Sequence, residues 1–429
     1  MQVDRLPGLY YEENVTYELT GVGSKIPIFI GVTGNTATNS DDYKTDGTLA
    51  LKFTNKKSAL SDVVKTGDNF KDTGIGKYYD EDGEIVNANN KLARVIYEFY
   101  EEARLVNSGD IGVPYIYVID VGNGSNYDHW KNAMKTAKSL LDASVEVYVG
   151  ATVKTSGNTK TVVLPCTITT GEGNEAVTSD VTLNGFLNTV VDGITTDDDY
   201  GLKGCAKNLD LRYAFASFEA TDDRVSDDTL LKGLTQVTQY SRIGICEPLL
   251  FGKTISRICC TPNNTEPGYF AYRSVEAGTF HARTKAEMLE LQNAGIIFNN
   301  DEHINDKVYP KINLCVSSSF AKNPRPADSM FHARFNADSL LRDIFEACYT
   351  QIKANESATN IAYLQTRVNK LVNDRVVAEE MVKYNDKTGE GTKLVVSGAN
   401  EDPYRLVVSG QIHPIKCTIA ILINATVII

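Results

Sequence analysis

The chain has 429 residues, 42% hydrophobic and 23% charged, which is material for two or three domains with full cores and excludes a disordered or collagen-like polymer. Its 43 Lys and Arg against 55 Asp and Glu give a formal charge of -12, so nucleic acid and anionic membrane surfaces are not expected partners. The acidity is uneven: residues 321–429 hold 13 basic and 12 acidic side chains, which leaves the excess in the first three quarters.

Eight cysteines are spread along the chain with no Cys-x-x-Cys, the pattern of reduced core thiols in a protein that folds in a cytoplasm. Asp4, Arg5, Glu12 and Glu13 interrupt the first residues, so no secretory leader is expected.

Residues 26–32 (IPIFIGV) form a short apolar run closed by Thr-Gly-Asn, the signature of a buried strand. Residues 33–90 are rich in Asn, Asp, Gly, Thr and Lys and read as loops with one short helix. A second strand is predicted over 115–120 (YIYVID). Beyond Gly122-Asn123-Gly124, the residues Trp130, Ala133, Met134, Ala137 and Leu141 make one apolar helical stripe. With a third strand over 145–149 (VEVYV), this strand, helix, strand order implies a crossover between parallel neighbours. From 151 to about 191 the chain turns to Thr and Val runs broken by Ser156-Gly157-Asn158 and Gly171-Glu172-Gly173, which suggests an inserted β-rich segment. The α/β pattern resumes with strands over 212–217, 242–246 and 295–298 and helices over 227–240 and 284–293.

Two further helical stripes follow: Leu341, Ile344, Phe345, Cys348 and Ile352, then Ile361, Leu364, Val368, Leu371 and Val372. A β tail closes the chain with strands over 393–397, 404–409 and 417–429. The expected fold is α/β, or α+β overall. It has a central mostly parallel sheet with flanking helices, a β-rich insertion, and a C-terminal domain of two helices and β-strands with extended terminal arms.

Signals for catalysis are weak. The Gly122-Asn123-Gly124 loop lies between a strand and a helix, where a nucleotide phosphate could sit, but it lacks a third glycine and a following Walker lysine, so a plain βα turn is the simpler reading. His129, His281, His303, His332 and His413 are scattered with no ligand spacing, and Asp197-Asp198-Asp199 lacks the glycine and spacing of a calcium loop. Cys259-Cys260 follows Ile258 and reads as core; no Gly-x-Ser-x-Gly occurs. No cofactor or metal is expected.

The last thirteen residues, CTIAILINATVII, place Cys417, Ile419, Ile421, Ile423, Ala425, Val427 and Ile429 on one face. As a strand this run spans roughly 40 Å at ~3.3 Å per residue. It is either a closing strand of the chain's own sheet or a strand that reaches beyond its domain; it is too short for the ~20 apolar residues of a membrane span.

At the other end, Leu6-Pro7-Gly8-Leu9-Tyr10-Tyr11-Glu12-Glu13 resembles the Pro-Gly-aliphatic-Tyr-x-Glu-Glu opening of contractile tail sheath proteins, those of tailed phages and of related phage-tail-like injection machines. The resemblance continues in order through 24–31 (SKIPIFIG), 287–298 (EMLELQNAGIIF), 335–353 and the 410–429 tail. Residues 36–90 and 151–200 carry none of it.

This resemblance implies an N-terminal arm over 1–25, a core α/β domain over 26–150 and 201–330 with a variable insertion at 36–90, and an outer insertion over 151–200. A tube-facing domain over 331–411 and an arm strand over 412–429 complete the plan. It further implies that the arms add strands to neighbouring subunits. The candidates are Asn14, Val15, Thr16, Tyr17, Glu18 and Leu19 at one end and Ile419, Ile421, Ile423, Ala425 and Val427 at the other. Arg334, Arg342 and Lys353 are candidates for facing an acidic tube. The implied partners are the chain itself, an inner tail tube protein, and baseplate and tail terminator proteins, in a virion tail or phage-tail-like particle assembled in a host cytoplasm. Two other readings stay open: a cytosolic α/β nucleotide- or small-ligand-binding enzyme, and another strand-exchanging virion protein such as a capsid or baseplate component.

Overall fold

The computed structural model describes residues 25–35, 43–63, 73–106, 113–171, 176–193, 200–207, 210–219, 228–304, 306–313, 315–322, 330–349, 358–399 and 402–415. The strands are β1 (Pro27–Gly31), β2 (Ala50–Phe53), β3 (Ile116–Asp120), β4 (Val145–Ser156), β5 (Thr159–Thr170), β6 (Val177–Thr182), β7 (Tyr213–Phe218), β8 (Ile243–Cys246), β9 (Ile296–Ile297), β10 (Asn299–Ile304), β11 (Lys307–Ile312), β12 (Lys393–Ala399) and β13 (Asp402–Gln411). The helices are α1 (Lys56–Ala59), α2 (Lys91–Val106), α3 (Tyr127–Lys138), α4 (Leu183–Asp192), α5 (Leu202–Lys207), α6 (Asp228–Val237), α7 (Phe251–Cys260), α8 (Lys285–Asn293), α9 (Phe331–Tyr349) and α10 (Ala358–Val377).

The central sheet runs in the order β2-β3-β1-β4-β7-β8-β9, parallel throughout except for β2, which lies antiparallel on the edge. Strands buried on both faces need apolar residues at consecutive positions, which is why these runs are uninterrupted in the sequence. Their alternation feeds two cores. Phe29, Val118, Val147 and Phe215 pack under α2, α7 and the start of α9. Ile30, Ile119, Tyr148 and Ala216 pack under α3, α4, α6 and α8. The expected parallel neighbours around α3 need one correction: β3 and β4 do not adjoin, because β1 lies between them and pairs with both.

Three differences from the expected elements have plain causes. Residues 183–192 are a helix, not part of a β-rich run: Leu183, Phe186, Leu187, Val190 and Val191 are buried at helical spacing, and Thr182 caps the start by accepting from the Gly185 amide. Helices α2 and α7, with strand β2 and the β10–β11 hairpin, are additional to the expected set. Leu141 lies beyond the end of α3 and is 68% exposed. The expected β-rich segment is a three-stranded antiparallel extension of β4 with β5 and β6, and α8, expected over 284–293, starts at a capping box of Thr284 and Glu287.

Helix α9 belongs to two cores at once. Phe331 and Phe335 pack against Tyr213 and Phe215 of the sheet, whereas Leu340 and Ile344 join Leu364, Val368, Met381, Leu394 and Val396 in a C-terminal core. One turn further into α9, Asp338 is fully buried and accepts from Tyr213 and from Arg242 Nε at 3.4 Å, with Arg334 Nε also 3.4 Å away. The α/β part and the C-terminal part are thus joined through one helix and one buried charge cluster.

Candidate assembly surface

In an open parallel sheet a ligand normally enters at the carboxyl ends of the strands, where the strand order reverses. Here the order reverses at β1, between β3 and β4, and the chain's own groups fill the carboxyl ends on both sides of it. Asp120, the last residue of β3, is 1% exposed; it accepts from Thr33 Oγ1 at 2.7 and 2.8 Å, from the Gly122 amide at 2.7 Å and from the Tyr43 hydroxyl. Burial pushes the Asp120 carboxyl up to about 6 against those donors, and burial together with the carboxylate pushes the Tyr43 hydroxyl up.

The Gly122-Asn123-Gly124 turn is filled in the same way. The Gly122 carbonyl accepts the Thr33 and Gly34 amides at 3.0 Å each, and the Gly124 carbonyl accepts Trp130 Nε1 at 3.0 Å. A Cβ at Gly124 would stand 2.7 Å from both Pro165 and Val32, and its φ of +73° requires glycine. Further along the same sheet edge, Gly150, Phe218 and Glu219 line a cleft of about 20 Å³ together with Arg94 and Glu98, room for about one water. Neither place offers the volume of a small-ligand site.

Among the described residues no three His, Cys, Asp or Glu side chains are grouped to hold a metal, and no helix is long and apolar enough to cross a membrane. The seven described cysteines are free thiols; burial pushes Cys205 and Cys260 up to about 12, far from a nucleophile's range.

The open feature is a sheet edge in the C-terminal part. β12 and β13 form a two-stranded antiparallel sheet. The outer edge of β12 is closed by α10, where Gln365 donates to the Leu394 carbonyl at 3.0 Å and accepts the Val396 amide at 2.8 Å. These bonds fix which amides point where. Leu394 and Val396 face away from β13, so their opposite numbers Gly410 and Val408 face away from β12. Among the described residues β13 pairs with β12 alone, which leaves its far edge available to another strand.

Of the expected site residues, Asn14, Val15, Thr16, Tyr17, Glu18, Leu19, Ile419, Ile421, Ile423, Ala425, Val427 and Lys353 lie outside the described residues. Arg342 is on α9 with its side chain 25% exposed, 3.4 Å from Glu346. Arg334 requires a correction: at 6% exposure and turned to Asp338, it is a buried joint residue with no face to offer a tube. Reasoning from sequence missed the Asp120 cluster, the Asp338 cluster and the Gln365 cap. Each depends on at least one contact made across a long separation, which no local pattern announces.

No protein-family model and no curated protein matches the sequence. Solved structures do. The helical sheath of the anti-feeding prophage (AFP) in its contracted state is 9% identical with a TM-score of 0.58 over 99% of both chains. The PVC sheath complex of an extracellular contractile injection system, also contracted, is 11% identical with a TM-score of 0.58 over 99% of this chain and 98% of that one. A chain from the AFP baseplate structure is 10% identical with a TM-score of 0.55 over 99% of both. The chain has the fold of contractile sheath proteins, matched over nearly its whole length.

Proposed function

We propose that the chain is a structural, non-enzymatic subunit of a contractile tail sheath. Copies polymerise around an inner tube by strand exchange through their terminal arms, and the sheath contracts to drive the tube through a cell envelope. The likeness to sheath structures over both parts of the molecule carries this reading. The filled sheet end agrees with it, because a scaffold needs no ligand crevice, and contraction can draw its energy from a difference in contacts between two lattices.

The β13 edge is the acceptor for an arm of a neighbouring copy, through backbone hydrogen bonds and alternating side chains. Arg342 and Lys353 remain the candidates for meeting the tube. Baseplate and terminator proteins would close the two ends of the particle, which assembles in a host cytoplasm. Electron microscopy of the purified protein tests the function: hollow striated tubes are expected, and a chain that stays monomeric under all assembly conditions argues for an α/β binding protein instead.

A further inference from the structure

Both terminal segments are rooted in one place. Lys25, which immediately precedes Ile26 and β1, donates its ammonium to the Thr261 carbonyl at the end of α7 at 3.0 Å, and lies 5.3 Å from the ring centroid of Phe335 in α9. At the other end of the described chain, the Ile415 amide donates to the Glu380 carbonyl at 2.9 Å. His332, three residues before Phe335 on the same helix, hydrogen-bonds the Ile415 backbone. The roots sense each other electrically. Burial and the Lys25 charge together hold the His332 imidazole down at about 4, and burial holds the Lys25 ammonium below its ordinary value against Cys259, Cys260, Cys315 and the Glu380 carboxylate, which favour it.

Packing alone would not need a buried ammonium here, since a methionine fills the same space without the desolvation cost. The position matters mechanically. β1 is an interior strand held by β3 and β4, and the Ile26 carbonyl still accepts the Ser144 and Val145 amides. A pull on residues 1–24 at an angle to β1 would open those bonds one after another, unless something upstream takes the load.

We propose that this junction is a single anchorage for both terminal segments, with Lys25 and His332 as its positioning residues, so that a pull on either segment is borne by α7 and α9 rather than by β1. The proposal rests on the sheath reading for its purpose, because only exchanged arms are pulled. The anchorage itself is a property of one subunit and is tested on one.

The full chain is stretched in an optical trap between peptide-tag handles at its two ends. The expected trace has an early step, release of the roots, before the sheet unfolds. Lys25→Met shortens the lifetime of that step at constant force about tenfold, as loss of one hydrogen bond to a charged group implies, with the melting temperature unchanged. His332→Phe does the same, and the double variant adds little beyond either, because the two residues act as one unit. A Lys25→Met lifetime equal to that of the unaltered chain overturns the proposal, as does a shortened lifetime matched by an equal loss of thermal stability, which would mark a merely structural contact. Tube formation is scored separately on the unaltered chain. A chain that makes no tubes but shows the expected lifetimes loses the sheath reading and keeps the anchorage.

Discussion

Asp338 shows how the buried charges of this chain are used. Its carboxylate is fully buried between Arg242, Arg334 and Tyr213, so it faces two guanidinium groups at the joint between sheet and C-terminal core. Asp338→Asn keeps the shape and removes the buried charge that faces both arginines, which should cost about 3–5 kcal/mol in urea unfolding. Glu266 gives a pH dependence. It accepts the Cys315 amide at 3.2 Å and the Gly268 amide at 2.6 Å, yet burial pushes its carboxyl from 4.5 up to about 7. A carboxyl raised in the folded state contributes stability that is complete below its unfolded value and lost as the pH rises through its folded value. The melting temperature should therefore fall between about pH 4.5 and pH 7 through this group, and Glu266→Gln should flatten that fall. These clusters were not legible in the sequence, because Arg242 and Tyr213, two of the three partners of Asp338, lie 96 and 125 residues away. What was legible at this scale was the burial of Cys259 and Cys260, which follow the apolar Ile258.

Among the elements, β13 carries the clearest consequence. Val408 has its backbone N–H on the open side, so Val408→Pro removes a donor from that edge without touching the ladder to β12. The variant should keep a cooperative melt and lose tube formation, checked by calorimetry and microscopy on one preparation; unaltered tubes would place the acceptor edge elsewhere. The parallel strands were readable because both faces are buried and the apolar runs are continuous. Helix α8 was readable over 284–293, and its start is fixed by the capping box of Thr284 and Glu287. α4 was hidden by composition: its Thr, Asn and Gly residues mask five apolar positions at helical spacing. The closed edge of β12 could not be foreseen, since it depends on a glutamine side chain from α10 standing in for a strand.

At the scale of the molecule, charge and the ends of the chain decide the behaviour. Reversing Arg342 and Lys353 together should weaken assembly on a tube, more at low salt than at high, because exposed charges are screened within about 8–10 Å; co-sedimentation across a salt series measures it. The resemblance at residues 6–13 points to a sheath, and the match to the AFP sheath covers 99% of the chain. The arms themselves fall outside the described residues, so their role is reached through the edge they would join. One measurement meets the central claim directly: electron microscopy of the full chain beside a chain ending at Lys416, each with its melting curve. The account predicts hollow striated tubes from the full chain, and from the shortened chain a soluble monomer with a cooperative melt and no tubes. Tubes from the shortened chain, or a shortened chain that no longer folds, would contradict it.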